Sequence, residues 1–343
     1  MGQFYRRFSA ILKARNLEFF RDKSSLGWSI VFPVLLLVGF AMVFSGEGQE
    51  QFKVGVLNGP EQNSTDASAP FLQTKYVEFV DYQDQALGLT KLQQHRLDLL
   101  VDFDTHSYWL NDSSPNGYFM EKVLRAESEF NWQKQTVSGR QIRYVDWVLP
   151  GILGMNMMFS CLFGVGYVIV RYRKNMVLKR LNATPVTAFE FLTAQIVSRL
   201  FIVMVLSAVV FIGCNWLFDF YMLGSYFNLI FIGVLGAFCL ISLGLMIASR
   251  SRSEELTGGL LNLATWPMMI LSGVWFSLEG SPEFIQTIAW FLPLTHLVEG
   301  ARAVMTEGAG LAELQGHIIP LVVMTVLFLA IGTWLFRWEG DGR

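Results

Sequence analysis

The chain has 343 residues, of which 52% are hydrophobic and only 16% charged. A soluble protein of this size carries about a quarter of its residues as charges, so the apolar excess points to membrane spans. Five nearly charge-free stretches have about the length a bilayer core requires, and a sixth is shorter. The net charge of −2 says little because the charges are segregated, and Cys161, Cys214 and Cys239 all fall in apolar stretches, with no spacing that suggests a metal site or a disulfide framework.

At 100° per residue, the first segment gathers Phe4, Phe8, Ile11, Leu12 and Phe19 in a narrow arc opposite Arg6, Arg7, Lys13 and Arg21. Arg15 interrupts that arc, although its long stem is able to snorkel. Residues 1–26 are therefore expected to form a cytoplasmic, basic amphipathic helix in the headgroup region. The first span follows at 27–45, with Pro33 near its start, and reads as an uncleaved signal anchor.

Residues 46–146 change in character: they hold 9 Lys/Arg and 15 Asp/Glu and no apolar run long enough to span. β-like segments at 52–58, 76–81 and 97–103 alternate with helical patterns at 85–96 and 118–135, which predicts a small α/β extracytoplasmic domain. The Asn-, Ser- and Pro-rich stretch 58–70 reads as a loop.

The membrane domain, 147–343, contains the remaining spans near 148–170, 191–218, 227–248, 260–278 and 318–336, six in all with the first. The cations orient them. Arg6, Arg7, Lys13, Arg15, Arg21 and Lys23 precede the first span, and Arg171, Arg173, Lys174, Lys179 and Arg180 follow the second. The loops after the third and fifth spans carry Asp219, Glu279, Glu283, Glu299, Glu307 and Glu313 against Arg302 alone. Both termini and the basic loops are expected in the cytoplasm, with 46–146 facing outward.

No phosphate-cradling Gly-x-x-x-x-Gly-Lys-Ser/Thr loop, His-Glu-x-x-His or Gly-x-Ser-x-Gly occurs, and the four histidines are scattered. The spans are almost free of charge, which argues against catalysis within the bilayer; Arg199, near the start of the third, is expected to snorkel. The loop 171–190 is more informative. Residues 175–181 read as a short amphipathic helix, the run 182–185 ending in Pro185 breaks it, and Thr187 with Glu190 forms a capping box opening the third span. An ordinary positive-inside loop without a partner is the bland alternative. Past the fifth span, Ser281-Pro-Glu-Phe284 looks like a capped helix start. Two apolar segments on either side of Pro293, within 281–309, are too short to span and read as re-entrant or interfacial helices of the outer leaflet.

Three motifs in order resemble the permease subunit of the type-2 ABC exporter family, in the branch with an external domain between the first two spans. They are Asp146-Trp-Val-Leu-Pro-Gly-Ile-Leu-Gly-Met-Asn156 entering the second span, Arg171-Tyr-Arg-Lys-Asn-Met-Val-Leu-Lys-Arg-Leu-Asn-Ala-Thr-Pro185 as coupling loop, and Phe291-Leu-Pro-Leu-Thr-His-Leu-Val-Glu-Gly-Ala-Arg302 before the last span. Lys174-Asn175 replaces the acidic residue usual near the start of that coupling loop. The resemblance implies a bacterial inner-membrane, multi-pass permease that is not itself an enzyme. It binds no cofactor, and ATP and magnesium belong to a partner, a dimer of cytoplasmic ABC ATPases. A second permease subunit (identical or paralogous), membrane lipid and a periplasmic adaptor are the other partners implied, with no nucleic acid. It assigns Met176, Val177, Leu178, Lys179, Arg180 and Leu181 to ATPase contact, the first helix to an interfacial connector, and Asn156, Asn262, Thr265 and Ser272 to the pathway. The expected activity is export of an amphipathic or lipid-like substrate; the alternative is a mechanotransmission complex that acts on an envelope partner without transport.

Overall fold

The computed structural model describes residues 2–43, 52–57, 69–72, 74–93, 97–112, 114–127, 132–137, 143–249, 251, 253–278 and 281–336. They divide into two compact units, one formed by Met1–Val43 with Tyr144–Arg343, the other by Phe44–Arg143.

In the first unit, α1 (Gly2–Arg21) turns directly into α2 (Lys23–Val43). Asp22 makes the turn: its carboxylate accepts from the Ser25 backbone N–H at 3.1 Å and from the Ser25 hydroxyl at 2.6 Å. This side-chain cap starts α2 four residues before the expected span. The arc of α1 packs on the first half of a later helix, as Phe8, Ile11, Leu12 and Phe19 are all half-buried while Phe4 stays exposed. Arg15 does not snorkel; at 8% exposure it is the most buried residue of that face, because polar partners meet it there.

The second unit is a five-stranded sheet in the order β2-β1-β3-β4-β5. Its elements are β1 (Phe52–Leu57), α3 (Ala69–Leu72), β2 (Val77–Tyr82), α4 (Gln85–Gln93), β3 (Leu99–Asp102), β4 (Ser107–Asn111), α5 (Pro115–Glu127) and β5 (Gln133–Val137). β1 lies parallel between β2 and β3, β3 and β4 form an antiparallel hairpin, and β5 returns parallel to β4 after α5. Alternation sorts the core. Leu99, Val101, Tyr108 and Leu110 face α5 through Met120 and Leu124, whereas Leu100 and Trp109 face α4 through Leu92. The helix expected over 118–135 is two elements: α5 stops at Glu127 and 133–137 is a strand. β5 is an edge strand whose residues are mostly exposed, so it lacks an apolar alternation to announce it. The predicted loop 58–70 and the end of the helical pattern at 94–96 lie outside the described residues, apart from the first turn of α3.

After this unit come α6 (Tyr144–Lys174), α7 (Val177–Asn182), α8 (Ala188–Phe218), α9 (Tyr226–Ala248), α10 (Glu254–Leu271), α11 (Glu283–Trp290), α12 (Pro293–Arg302), a π-helical turn at Ala303–Glu307 and α13 (Gln315–Leu335). Among the described residues five helices are long and apolar enough to cross a membrane: α2, α6, α8, α9 and α13. α10, expected as the fifth span at 260–278, is 18 residues long, opens with Glu254 and Glu255, and ends at Leu271 rather than 278. Gly273, at φ 66°, follows its C-cap Ser272 and takes the left-handed conformation that stops a helix.

α6 is the axis of the unit and packs against α2, α8, α9, α10 and α12. Its contact with α9 is close: a Cβ on Gly244 would stand 3.1 Å from the Leu162 Cα, the small-residue approach that lets membrane helices gain dispersion contacts. α12 lies within the bundle against α6, α9 and α13, with nearly every residue buried.

Glu121 ties the second unit together. Although only 7% exposed, it accepts from the Tyr108 hydroxyl at 2.8 Å and from Lys134 at 3.0 Å, and lies 3.1 Å from Arg125. Burial acts to raise its pKa, but the bonds from Tyr108 and Lys134 and the neighbouring cations outweigh it and hold the carboxyl below its usual value. A depressed folded-state pKa contributes stability that is complete above the unfolded carboxyl's pKa and is lost as pH falls through the folded one. Glu121→Gln is expected to cost the sheet unit about 1–3 kcal/mol and to flatten its acid-side stability profile; hydrogen exchange in β4 and α5 between pH 7 and acid checks both.

Candidate functional site

Two places in the membrane unit concentrate polar chemistry, and the first is the α6–α8 connection. α6 ends in Lys174, and Met176, left-handed at φ 59°, turns the chain into α7. α7 stops at Asn182 with Ala183 as its C-cap. The predicted capping box is present: the Glu190 backbone N–H donates to Thr187 Oγ1 at 3.2 Å, and the Thr187 N–H donates to the Glu190 carboxylate at 2.7 Å. Of the six residues assigned to partner contact, Leu178 is fully buried in the main core, Val177 and Leu181 are half-buried, and Met176, Lys179 and Arg180 are exposed. The segment is thus anchored by Leu178 and presents one basic, methionine-tipped edge.

Side chains that the periodicity did not single out hold this segment. The Arg173 guanidinium donates to the carbonyls of Ala248, Ser249 and Ser251 at 3.3, 2.9 and 2.5 Å. It satisfies carbonyls that the end of α9 leaves without helical partners. Lys174 lies 3.7 Å from Glu254 at the start of α10. From the other side, Arg7 donates to the Pro185 carbonyl at 2.5 Å and stands 3.8 Å from Glu190. The signal in the sequence was a cluster of cations, but cations in such loops read first as orientation markers.

The second place is a cleft of about 570 Å³ bordered by α1, α2 and α6, with Arg199 of α8 in its wall. Arg15 donates to Gln195 at 2.8 Å, to Glu18 at 2.8 Å and to the Gly164 carbonyl at 3.3 Å. Glu18 also accepts from the Tyr172 hydroxyl at 2.6 Å. Burial works to raise the Glu18 pKa, but Tyr172 and Arg15 prevail and hold it below the usual carboxylate range. Asn16 accepts from Ser198 at 2.5 Å, completing a polar seam between α1 and α8. Arg199 is 8% exposed and turned inward, donating to the carbonyl and hydroxyl of Ser160. The expectation that it snorkels fails because those acceptors lie on the facing turn of α6, where Gly164 leaves room for the guanidinium.

The four predicted pathway residues are not brought together. Asn156 lines the cleft and donates to the Ser29 carbonyl at 3.3 Å. Asn262 is exposed on α10, while Thr265 and the C-cap Ser272 are fully buried. Thr265 donates to the Asn262 carbonyl at 3.3 Å, and the Ser272 hydroxyl has no hydrogen-bond partner among the described residues. Thr265 lies nearly one turn on from Asn262 and only about 60° round the helix, so the contrast in their exposure comes from where α6 packs along α10, which residue type alone does not announce.

Near α12, Ser281 does not cap α11; Pro282 takes the N-cap position without a side-chain bond, and the Ser281 carbonyl instead accepts from Gln286 at 2.8 Å. His296 joins the Trp290 carbonyl at 2.7 Å through Nε2 and His317 at 3.3 Å through Nδ1. Since a carbonyl only accepts, His296 Nε2 carries the proton and His317 Nδ1 is the donor of the pair. Arg302 donates to the carbonyls of Trp147 at 3.2 Å and Gly273 at 2.8 Å, and stacks 3.8 Å from the Trp147 ring centroid.

Residues 23–334 match the family model described as ABC-2 family transporter protein. The inner membrane transport permease YhhJ of Escherichia coli (strain K12) is 28% identical over 181 residues, which are 50% of this chain and 46% of that protein. The probable multidrug ABC transporter permease YbhS of the same organism is 22% identical over 373 residues, 96% of each chain. The linearmycin resistance permease protein LnrN of Bacillus subtilis (strain 168) is 26% identical over 186 residues, 54% of this chain and 48% of its own length. The matched region thus spans about half of YhhJ and LnrN and nearly all of YbhS.

The seam predicts how α1 is held. Arg15→Met removes three donors and leaves Glu18 with Tyr172 alone, a loss of about 2 kcal/mol. Hydrogen exchange across α1 should rise at least about tenfold while α9 keeps its protection; equal protection of α1 in the variant would show that its apolar arc suffices.

Proposed function

The chain belongs to the ABC-2 family of transporter proteins, and on that premise we propose that it is the membrane permease of an ATP-driven exporter whose hydrolysis takes place on separate cytoplasmic ATP-binding cassette subunits. The observation that carries this reading is the α7 segment. It is a short helix set off from α6 by the left-handed turn at Met176, locked into the core by Leu178, and it offers Met176, Lys179 and Arg180 to a partner. A push on that edge reaches α9 and α10 through Arg173 and Lys174 and reaches α1 through Arg7. The basic edge, α1 and the other cation-rich loops lie on the cytoplasmic side in this reading, with α1 in the headgroup layer, and the sheet unit lies on the opposite side. A second permease subunit, identical or paralogous, completes the pathway. Export of hydrophobic or amphipathic compounds is supported by relatives whose names carry multidrug and linearmycin resistance and by spans nearly free of acidic groups.

The exposed and buried faces of α7 separate partner contact from folding. Lys179→Glu with Arg180→Glu should leave the folded yield intact and cut the co-purifying ATPase by about tenfold, the loss of charge-assisted contacts worth about 1.5–3 kcal/mol. Leu178→Asp should instead lower the folded yield itself, because it buries a carboxylate. Co-purification from the native host, with ATPase activity per permease, measures both. Undiminished ATPase retention in the double reversal would remove α7 as the docking edge, and a permease that purifies with no ATP-binding subunit would remove the exporter reading.

A further inference from the structure

A guanidinium inside a membrane unit is costly unless it is paired or put to use. Arg15 has Glu18 and Gln195, and Arg173 and Arg302 bridge backbone carbonyls. Arg199 is different. Its Nε and Nη2 both go to Ser160, its Nη1 makes no hydrogen bond, and it forms no ion pair with a carboxylate among the described residues. The Phe19 ring, its centroid 5.5 Å away, is its remaining counterweight. Arg199 stands in the wall of the 570 Å³ cleft; Arg171, also in that wall, makes no hydrogen bond or close ion pair among the described residues, and its charge acts at longer range on Glu18 and Asp22. The two carboxylates there are committed, Glu18 to Arg15 and Tyr172, Asp22 to the Ser25 cap. Much of the wall is aromatic, with Trp28, Phe32, Phe159 and Phe163.

We propose that this cleft binds an amphipathic anion, with a phosphate or phosphate-like headgroup between Arg199 and Arg171 and an alkyl tail along the aromatic wall. An unpaired guanidinium in a low-dielectric wall attracts an anion far more strongly than the same group in water, and its planar fork matches an oxyanion. The aromatic side contributes area without a directional demand, so the site selects charge at one end and apolarity at the other. This deepens the export reading and rests on it only for what happens to the molecule once bound.

The test uses the purified full-length chain in neutral maltoside micelles without any ATPase. It is titrated with a bromine-tipped dodecyl phosphate, with its trimethylammonium twin, and with inorganic phosphate as competitor; the readout is tryptophan quenching, and Trp28→Phe identifies the cleft's share of the signal. The anionic probe should quench saturably, the cationic twin should not, and inorganic phosphate should fail to displace the probe. Arg199→Gln should weaken binding by at least about tenfold. Gly164→Ala should do so as well, since the added methyl takes the space the guanidinium now fills. Arg171→Gln, at an exposed position that leaves the fold alone, should weaken it several-fold and decides the matter if the Arg199 variant does not fold. Equal affinity for both probe charges, or unchanged affinity in Arg171→Gln, would overturn the proposal. Displacement by inorganic phosphate would overturn the amphipath in favour of a free anion. Because no ATPase is present, failure here leaves the α7 docking reading standing, and failure of that reading leaves this measurement unaffected.

Discussion

Arginines directed at backbone carbonyls organise the membrane unit. Helix ends leave carbonyls without helical partners, and within a bilayer water is not there to replace them. Arg173 closes the end of α9 and Arg302 joins the start of α6 to the residue after α10. Arg15 and Arg199 reach carbonyls on adjoining turns of α6. Arg15, Arg173 and Arg302 gain acceptors on several residues that offset their desolvation and fix neighbouring elements together, whereas Arg199 has those of Ser160 alone. The apolar cores around α6 supply more burial than these bonds do, but burial is indifferent to register and the guanidiniums are not.

The same constraint accounts for α12. A ten-residue helix cannot cross a bilayer, yet it lies inside the bundle with its polar groups answered: His296 by Trp290 and His317, Arg302 by two carbonyls and a tryptophan face. Pro293 at the first position starts it at no expense in hydrogen bonds, since that N–H would be an orphan in any helix. The sheet unit works by a different rule. Alternation along β3 and β4 sends Leu99 and Val101 to one helix layer and Leu100 and Trp109 to the other, and the buried Glu121 is held by several partners.

What could be read from the residues divides along physical lines. Long apolar runs, the Thr187–Glu190 box and the breaks at Pro185 and Pro293 are local signals, and they located α2, α6, α8, α9, α13, α7 and α12 to within a few residues, whereas α10 begins and ends well before the expected stretch 260–278. Signals that depend on what lies opposite were not available. Arg15 and Arg199 look alike to a helical projection whether they face lipid, water or an acceptor, and only the facing turn of α6 decides. Leu178 and Lys179 sit side by side in a six-residue helix whose buried side is set by the core beneath it. β5 failed for a related reason, because an edge strand with exposed side chains has no pattern of its own. Asn262 and Thr265 are neighbours on α10, and the packing that buries the second and leaves the first exposed belongs to the bundle rather than to their residue types.

The grip of Arg173 on α9 has a bearing on how this chain can change length over time. One side chain, rooted in α6, spans the last carbonyls of α9 while its neighbour Lys174 touches the first turn of α10. The stretch joining α9 to α10 is therefore measured against a fixed ruler, and inserting or deleting a single amino acid there would pull the acceptors out of reach. Homologues should vary in size elsewhere and keep this joint to an invariant count.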